Sequence, residues 1–353
     1  MKILMSLLSV VLLASFGAQA DVTQQSVIRG YAETAYKLYS QSVEGARQVQ
    51  LDIDTFLTQP TEENLARARA SWIEARKIYS QTEIYRFYGS PIDNETGPEG
   101  LINAWPLDEI YIDTIVERAD LYPKLDVESL RELNEKDGEK NISTGWHAIE
   151  YMLWGQDLSA TGPGARPASD YIAQNPLAAR RTEYLRTIAA ALVTDLESVQ
   201  VQWDLKTPDS YGQKFLTDKT SLTNMFIGIT KMSGAELSQE RMFVALDTRS
   251  QEEEHSCFSD TTHFDIQYNF QGIKNVLTGG LLDLIRSKDA ALAAEIEDNL
   301  SVTEQAIADM QKPFDQAILN EQGRAGVLAI IAALESLTEA TRQGALTVGV
   351  EVP

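Results

Sequence analysis

Three histidines and one cysteine are, methionine aside, all the soft or borderline metal ligands in this 353-residue chain, and they fall in two short stretches. His147 stands three residues before Glu150 in Gly145-Trp146-His147-Ala148-Ile149-Glu150. On a helix, that spacing puts both side chains on one face. An imidazole beside a carboxylate supplies two ligands to a metal ion, or else the two satisfy each other as a buried polar pair. The second stretch, Glu252 to Asp265, holds His255, Cys257, Asp260, His263 and Asp265. His255 and Asp260 are its candidate metal ligands, whereas His263 and Asp265 read as caps of the helix that follows. A single cysteine allows no internal disulfide, and Cys257 reads as a buried, inert thiol.

A tight site needs three or four ligands, so the HxxE pair is incomplete. Glu83 and Asp108 are the first-half residues that would extend it. Each sits in aromatic, half-buried sequence, where an unpaired carboxylate is costly unless it meets a cation or a donor. The competing readings make Glu83 the partner of Arg76 or Arg86, and Asp108 a first-turn acid favoured by the helix dipole. At the same helix end His147 is expected neutral and Glu150 ionised. Common hydrolase signatures are missing: there is no HExxH, and HxxEH would need histidine where Tyr151 stands. Neither a G-x-S-x-G elbow, an S-x-x-K nucleophile in a recognisable frame, nor a phosphate-binding glycine loop occurs.

Helices must position these residues. Apolar positions recur at helical spacing from Val27 to Leu57 and again, after Pro60 and a Thr61 cap, through Leu65, Ala68, Trp72, Ala75, Tyr79, Ile84 and Phe87. Thr144 and Gly145 open the HxxE helix and Gly155 closes it. Shorter helices are predicted at 107–113 and 127–133, and long ones at 177–203, 221–246, 264–277, 290–310 and 324–341. No stretch alternates with period two, so the fold class is all-α. Ser159 to Pro167 is rich in Gly and Pro and predicts a linker at 159–168 between helical bundles at 21–158 and 169–353. Element order is the same in both halves, as in a duplicated bundle.

Residues 1–20 read as a secretory signal: Lys2, an apolar run from Ile3 to Phe16, and Ala18-Gln19-Ala20 as the cleavage site. No later run of about eighteen apolar residues predicts a membrane span. The formal net charge of −22 argues against a nucleic-acid partner and would concentrate cations.

Gly145-x-His147-x-x-Glu150, with Trp146 and the following Leu153-Trp154-Gly155-Gln156-Asp157, resembles the signature of the imelysin family. The similarity continues through Trp105-Pro106-Leu107-Asp108-Glu109, Gly164-Ala165-Arg166-Pro167 and Glu253-Glu254-His255-Ser256-Cys257-Phe258-Ser259-Asp260. That family includes iron-regulated proteins of Gram-negative bacteria and the insulin-cleaving membrane protease. The resemblance implies two helical bundles related by pseudo-symmetry, with the HxxE site near their interface. It implies an exported protein of the periplasm, or one held at the outer membrane, that serves iron acquisition. It maps the family's metal-binding residues onto His147 and Glu150, to which Glu83 and Asp108 are added. Iron is the expected ion, with zinc the alternative, and an iron-transport component of the outer or inner membrane the expected partner. Three function classes follow. One is a metal-binding protein of iron uptake, and another is a metallopeptidase with zinc on HxxE and a further base to activate water. The third is a helical adaptor for a protein or haem, in which HxxE is structural.

Overall fold

Every regular element among residues 22–352, the residues described by this computed structural model, is a helix, so the chain is all-α. The expected signal segment, residues 1–20, lies outside them. Helix starts follow from capping chemistry. Helix α1 (Gln24–Thr58) opens with a capping box, in which Thr23 accepts from the Ser26 N–H and the Ser26 hydroxyl accepts from the Thr23 N–H. Its predicted stripe, from Ile28 and Tyr31 to Ile53 and Phe56, is buried. Helix α2 (Glu62–Tyr79) is capped by Thr61, with Glu62 and Glu63 in its first turn and Arg76 and Lys77 in its last. Both ends thus complement the macrodipole.

The apolar period carries the α2 prediction on to Phe87, but the chain tightens at Ser80 into a 3-10 turn, Ser80–Tyr85. Two later helices press on this turn. A Cβ at Gly228 would lie 2.5 Å from the Ile84 carbonyl oxygen, and one at Gly272 2.7 Å from that of Gln81. Backbone-to-backbone approach at glycine, absent from any periodicity, sets this geometry.

The remaining main helices are α3 (Glu109–Glu117), α4 (Gly145–Trp154), α5 (Ala178–Trp203), α6 (Ser221–Thr230), α7 (Thr262–Val276), α8 (Ala290–Ala308) and α9 (Glu321–Thr347). A wider, π-wound segment, Lys231–Phe243, continues α6. Helix α5 lies along α1, α4 packs on α2 and α5, α7 covers the Ser80–Tyr85 turn, and α9 packs on α8 and the π-wound segment.

Packing partners do not change at the expected linker. Helix α5 follows 159–168 in sequence, yet its stripe of Tyr184, Leu185, Ile188, Leu192, Leu196, Val199 and Trp203 is buried and α5 lies along α1. Polar links run beside that seam: Gln200 donates to Ser40 at 3.0 Å, and Arg186 pairs with Asp54 at 3.1 Å. One apolar core therefore continues across the Gly/Pro-rich loop. Each large aliphatic side chain buried in it contributes roughly 1.5–3 kcal/mol before chain entropy is counted.

Candidate metal centre

All ten residues of α4 are buried, so its backbone must be satisfied by protein. Gly145 starts it at φ +88°, where a Cβ would also sit 2.5 Å from the Ile102 carbonyl oxygen. Only glycine meets both demands. The Trp72 indole donates to the Trp146 carbonyl at 3.0 Å. At the other end Arg69 donates to the Leu153 carbonyl at 2.8 and 3.1 Å, and the Tyr171 hydroxyl to that of Met152 at 2.6 Å. Held at both ends, α4 fixes His147 and Glu150.

The two side chains meet directly: His147 Nδ1 lies 3.0 Å from Glu150 Oε2. Glu150 Oε1 accepts from the Ser259 N–H at 2.9 Å and from its hydroxyl at 2.7 Å. Burial pushes the Glu150 carboxyl up to about 8, because the Ser259 bonds offset only part of the desolvation. Burial likewise holds the His147 imidazolium well below the usual histidine range, aided by His255 and Arg76. The pair is therefore neutral near pH 7, which corrects the expectation that the helix end would keep Glu150 ionised. Both Ser259 donors occupy Oε1, so the carboxyl proton sits on Oε2 and is donated to Nδ1. That assignment leaves the hydrogen of His147 on Nε2, a buried atom without a partner.

His255 is the neighbour of His147, with ring centroids 4.7 Å apart in an edge-to-face arrangement. Its Nδ1 lies 3.0 Å from Asp265 Oδ2. Asp265 also accepts from Arg76 at 3.0 Å, from Ser80 at 3.1 Å, and from Ser256. Burial alone would raise the Asp265 carboxyl; Arg76, His255 and Ser256 instead hold it well below its ordinary range. An ionised Asp265 needs a donor, so His255 carries its hydrogen on Nδ1 and a lone pair on Nε2. His255 lines a cavity of about 430 Å³ together with Asn103 and Trp105.

The profile of the imelysin family (Peptidase M75) matches residues 35–341. The chain belongs to the imelysin family. It is 23% identical over 340 residues to an iron-regulated protein A of Synechococcus elongatus, covering 91% of this chain and 85% of that one. Among solved structures, the fold is shared with a protein described as an iron-regulated protein A precursor from Parabacteroides distasonis, at a TM-score of 0.73 and 16% identity. That match covers 94% of this chain and 97% of the other. An imelysin-like protein from Psychrobacter arcticum matches at a TM-score of 0.70 and 13% identity, over 94% of this chain and 98% of the other.

The other expected ligands of this imelysin lie elsewhere. Glu83 is fully buried, but Arg241 grips both its oxygens, while Asn269 donates to Oε1 at 3.0 Å and Asn103 to Oε2 at 3.1 Å. Arg86 stands 3.6 Å away. Burial would raise this carboxyl, yet Arg241 brings it down to about 2. Glu83 thus completes a salt bridge and has no oxygen free for a metal. It reaches His255 only indirectly, through Asn103 and Arg76, whose Nη2 lies 3.4 Å from His255 Nδ1 and 3.0 Å from Asp265, or through Asn269, Ser80 and Asp265. Asp108 caps α3, accepting from the Ile110 N–H at 2.9 Å. Asp260 is pushed up to about 7 by burial and by Asp315 and Asp157, and no hydrogen bond among the described residues joins it to either site histidine. Among the described residues, no group of three His, Cys, Asp or Glu side chains is placed to hold an ion unaided.

Asp265, Ser259 and Arg76 are the parts of the site that motif reading passed over. Asp265 reads from sequence as a cap of α7, a sufficient local explanation that hides its tertiary role; in the structure it lies in the first turn and no side-chain cap bond is made there. Cys257 is buried, and burial raises its thiol pKa well above the usual value, in keeping with an inert thiol.

Proposed function

We propose that this imelysin is an exported metal-binding protein that works in the periplasm in iron uptake, taking its ion at His147 and His255. One observation carries the proposal: two buried imidazoles, ring centroids 4.7 Å apart, each have Nδ1 on a side-chain carboxyl group, neutral Glu150 for His147 and ionised Asp265 for His255, and Nε2 bonded to no described group. Ligating histidines normally donate their other ring nitrogen to a carboxylate, as His255 does to Asp265 and as His147 would do once Glu150 ionises, and imidazole nitrogen suits borderline cations such as ferrous iron or zinc. The iron-regulated relative supports iron as the cargo. Two side-chain nitrogens would leave the other coordination positions to water, which fits a carrier that must release its ion, in turn, to an iron-transport component of a membrane. For this chain itself, no helix among the described residues is long and apolar enough to cross a membrane.

Glu150 then acts behind His147 rather than on the ion. Loading His147 at Nε2 displaces the hydrogen there. Nδ1 must then donate to an ionised Glu150, so the pair gives up one proton for each ion bound. A zinc peptidase would need a free base beside the ion, and both Glu150 and Asp265 are engaged.

Calorimetric titration with Fe²⁺ under anaerobic conditions, and with Zn²⁺, tests the proposal in wild type, His147→Ala, His255→Ala and Glu150→Gln. The expected result is one ion per chain with release of about one proton near pH 7, no tight binding in either histidine variant, and roughly 10- to 100-fold weaker binding in Glu150→Gln. Failure of the wild type to bind, or unchanged binding in His255→Ala, overturns it. Metal-dependent peptide cleavage that His255→Ala abolishes would favour the peptidase instead.

A further inference from the structure

We infer that the cavity over His255 takes its metal as a free, hydrated cation and rejects anionic chelates, with Glu135, Glu139 and Glu240 as the collecting rim. The inference rests on the proposed metal reading and names the form of the cargo.

The walls of the cavity come from both halves of the chain: Glu99, Glu135 and Glu139 from the first, Glu236 and Glu240 from the second. Arg86 and Arg241 line it too, but neither has charge to spare. Arg86 pairs with Glu99 at 3.0 Å, and Arg241 with Glu236 at 2.8 Å as well as with Glu83. Glu135, Glu139 and Glu240 are exposed and make no ion pair among the described residues. The mouth therefore carries three uncompensated negative charges.

An acidic rim alone would be a solvated surface. What points to a ligand is the floor, where His255 is 3% exposed, is bonded through Nδ1 to Asp265, and has an Nε2 lone pair that no described group uses. A volume of about 430 Å³ corresponds to about fourteen waters at roughly 30 Å³ each, enough for an ion with its first hydration shell. Acidic walls around a low-dielectric pocket focus the field and raise the local concentration of cations. A metal–citrate complex of net negative charge would meet unpaired carboxylates at the mouth and find no free guanidinium inside.

Stopped-flow absorbance with Co²⁺ as the optical probe tests this in the wild type and in the triple variant Glu135→Gln/Glu139→Gln/Glu240→Gln. All three positions are exposed, so folding should be preserved. The wild-type on-rate should fall about tenfold between about 10 mM and about 200 mM salt. The triple variant should start about tenfold slower, show little salt dependence, and keep the wild-type off-rate. Cobalt supplied as its citrate complex should load the wild type only as fast as free Co²⁺ is released. Equal on-rates and salt slopes in the two proteins, or direct loading at a rate that scales with the citrate complex, would overturn the inference and leave the metal site standing. Absence of Co²⁺ uptake in both proteins would overturn the metal reading and the inference together.

Discussion

Glu83 and Glu150 are both wholly buried, and both read from the sequence as candidate ligands, yet their surroundings drive them to opposite states. Burial works to raise each. Around Glu83 it is overcome by Arg241, with Asn103 and Asn269 filling the remaining acceptor positions, and the carboxyl falls to about 2. Around Glu150 the direct partners are Ser259 and a neutral His147, no cation bonds to it, and the carboxyl rises to about 8. A buried carboxylate gripped by a guanidinium is finished and belongs to the scaffold. One that meets only neutral donors keeps a proton, and an ion bound next door can displace that proton.

The largest effect expected from this contrast is on stability. Arg241→Met would leave the buried Glu83 with two amide donors and only the longer contact to Arg86, at 3.6 Å, and should cost about 3–5 kcal/mol in urea unfolding of the metal-free protein. Glu83→Gln, which leaves Arg241 only the half-buried Glu236 as a charged partner, should cost less than that. The double change Glu83→Met/Arg241→Met should recover part of the Arg241→Met loss, because the charge then left without Arg241 is Glu236, whose side chain keeps 23% of its surface in water. Glu150→Gln strands no charge and should move stability by less than about 1 kcal/mol at pH 5. If Arg241→Met costs no more than Glu150→Gln, the distinction between scaffold and poised carboxylate is wrong.

The two carboxyls should also differ in the sign of their pH dependence. Glu83 has a folded pKa of about 2, below its ordinary 4.5, so the stability it contributes is present above pH 4.5 and is lost as pH falls towards 2. Glu150 is the reverse. Between 4.5 and about 8 the folded chain holds a proton that the unfolded chain has released, so its contribution is full below 4.5 and drains away as pH rises through about 8. His147 titrates in the same window, since its lowered pKa makes folding less favourable below the usual histidine range. Comparing wild type with Glu150→Gln keeps that contribution common to both. Metal-free wild type should lose stability relative to Glu150→Gln from pH 5 to pH 8, by a few kcal/mol at most. Parallel stability curves would mean that Glu150 carries no extra proton.

Legibility in the sequence followed the range of the forces involved. The α1 and α5 stripes were readable because a 3.6-residue apolar period has one cheap solution, a helix buried on that side. The end of α2 was not, because the same period runs on past Ser80, and Gly228 and Gly272 of distant helices impose the tighter turn. His147 and Glu150 were readable because their spacing is local. The neutral state of His147 was expected, but the charge of Glu150 was misjudged because the helix dipole is visible in sequence, whereas complete desolvation, which outweighs it, is not. Asp265 and Glu83 exchanged roles for the same reason. Asp265 had a local explanation as a cap of α7, and the local partners weighed for Glu83 were Arg76 and Arg86, whereas the guanidinium that grips it, Arg241, comes from far along the chain. The Gly/Pro-rich stretch at 159–168 was read as a boundary on composition, but the matching stripes of α1 and α5 close the core across it.

The smallest expected effect comes from Asp108, which shares the Trp105–Glu109 motif but makes no hydrogen bond to either site histidine or to Glu150 among the described residues. Its carboxylate accepts the Ile110 N–H, one of the orphan donors at the start of α3, so Asp108→Ala should cost about 1 kcal/mol. Asp108→Asn keeps an acceptor in place and should cost only a few tenths of that. The loss should stay local, because α3 is also anchored by buried Ile112, Ile115 and Val116 and by the bond from the Tyr151 hydroxyl of α4 to Asp113, at 2.8 Å. Metal affinity should therefore be unchanged in both variants. A cap and a ligand are told apart by the pattern across the two substitutions: a cap tolerates Asn and resents Ala in unfolding experiments, with metal titration flat throughout. A ligand carboxylate would lose affinity on both changes, since an amide oxygen is a much poorer donor to a cation. If Asp108→Asn leaves unfolding untouched while weakening Fe²⁺ binding tenfold or more, Asp108 belongs with His147 after all, and α3 must shift towards α4 when the ion binds.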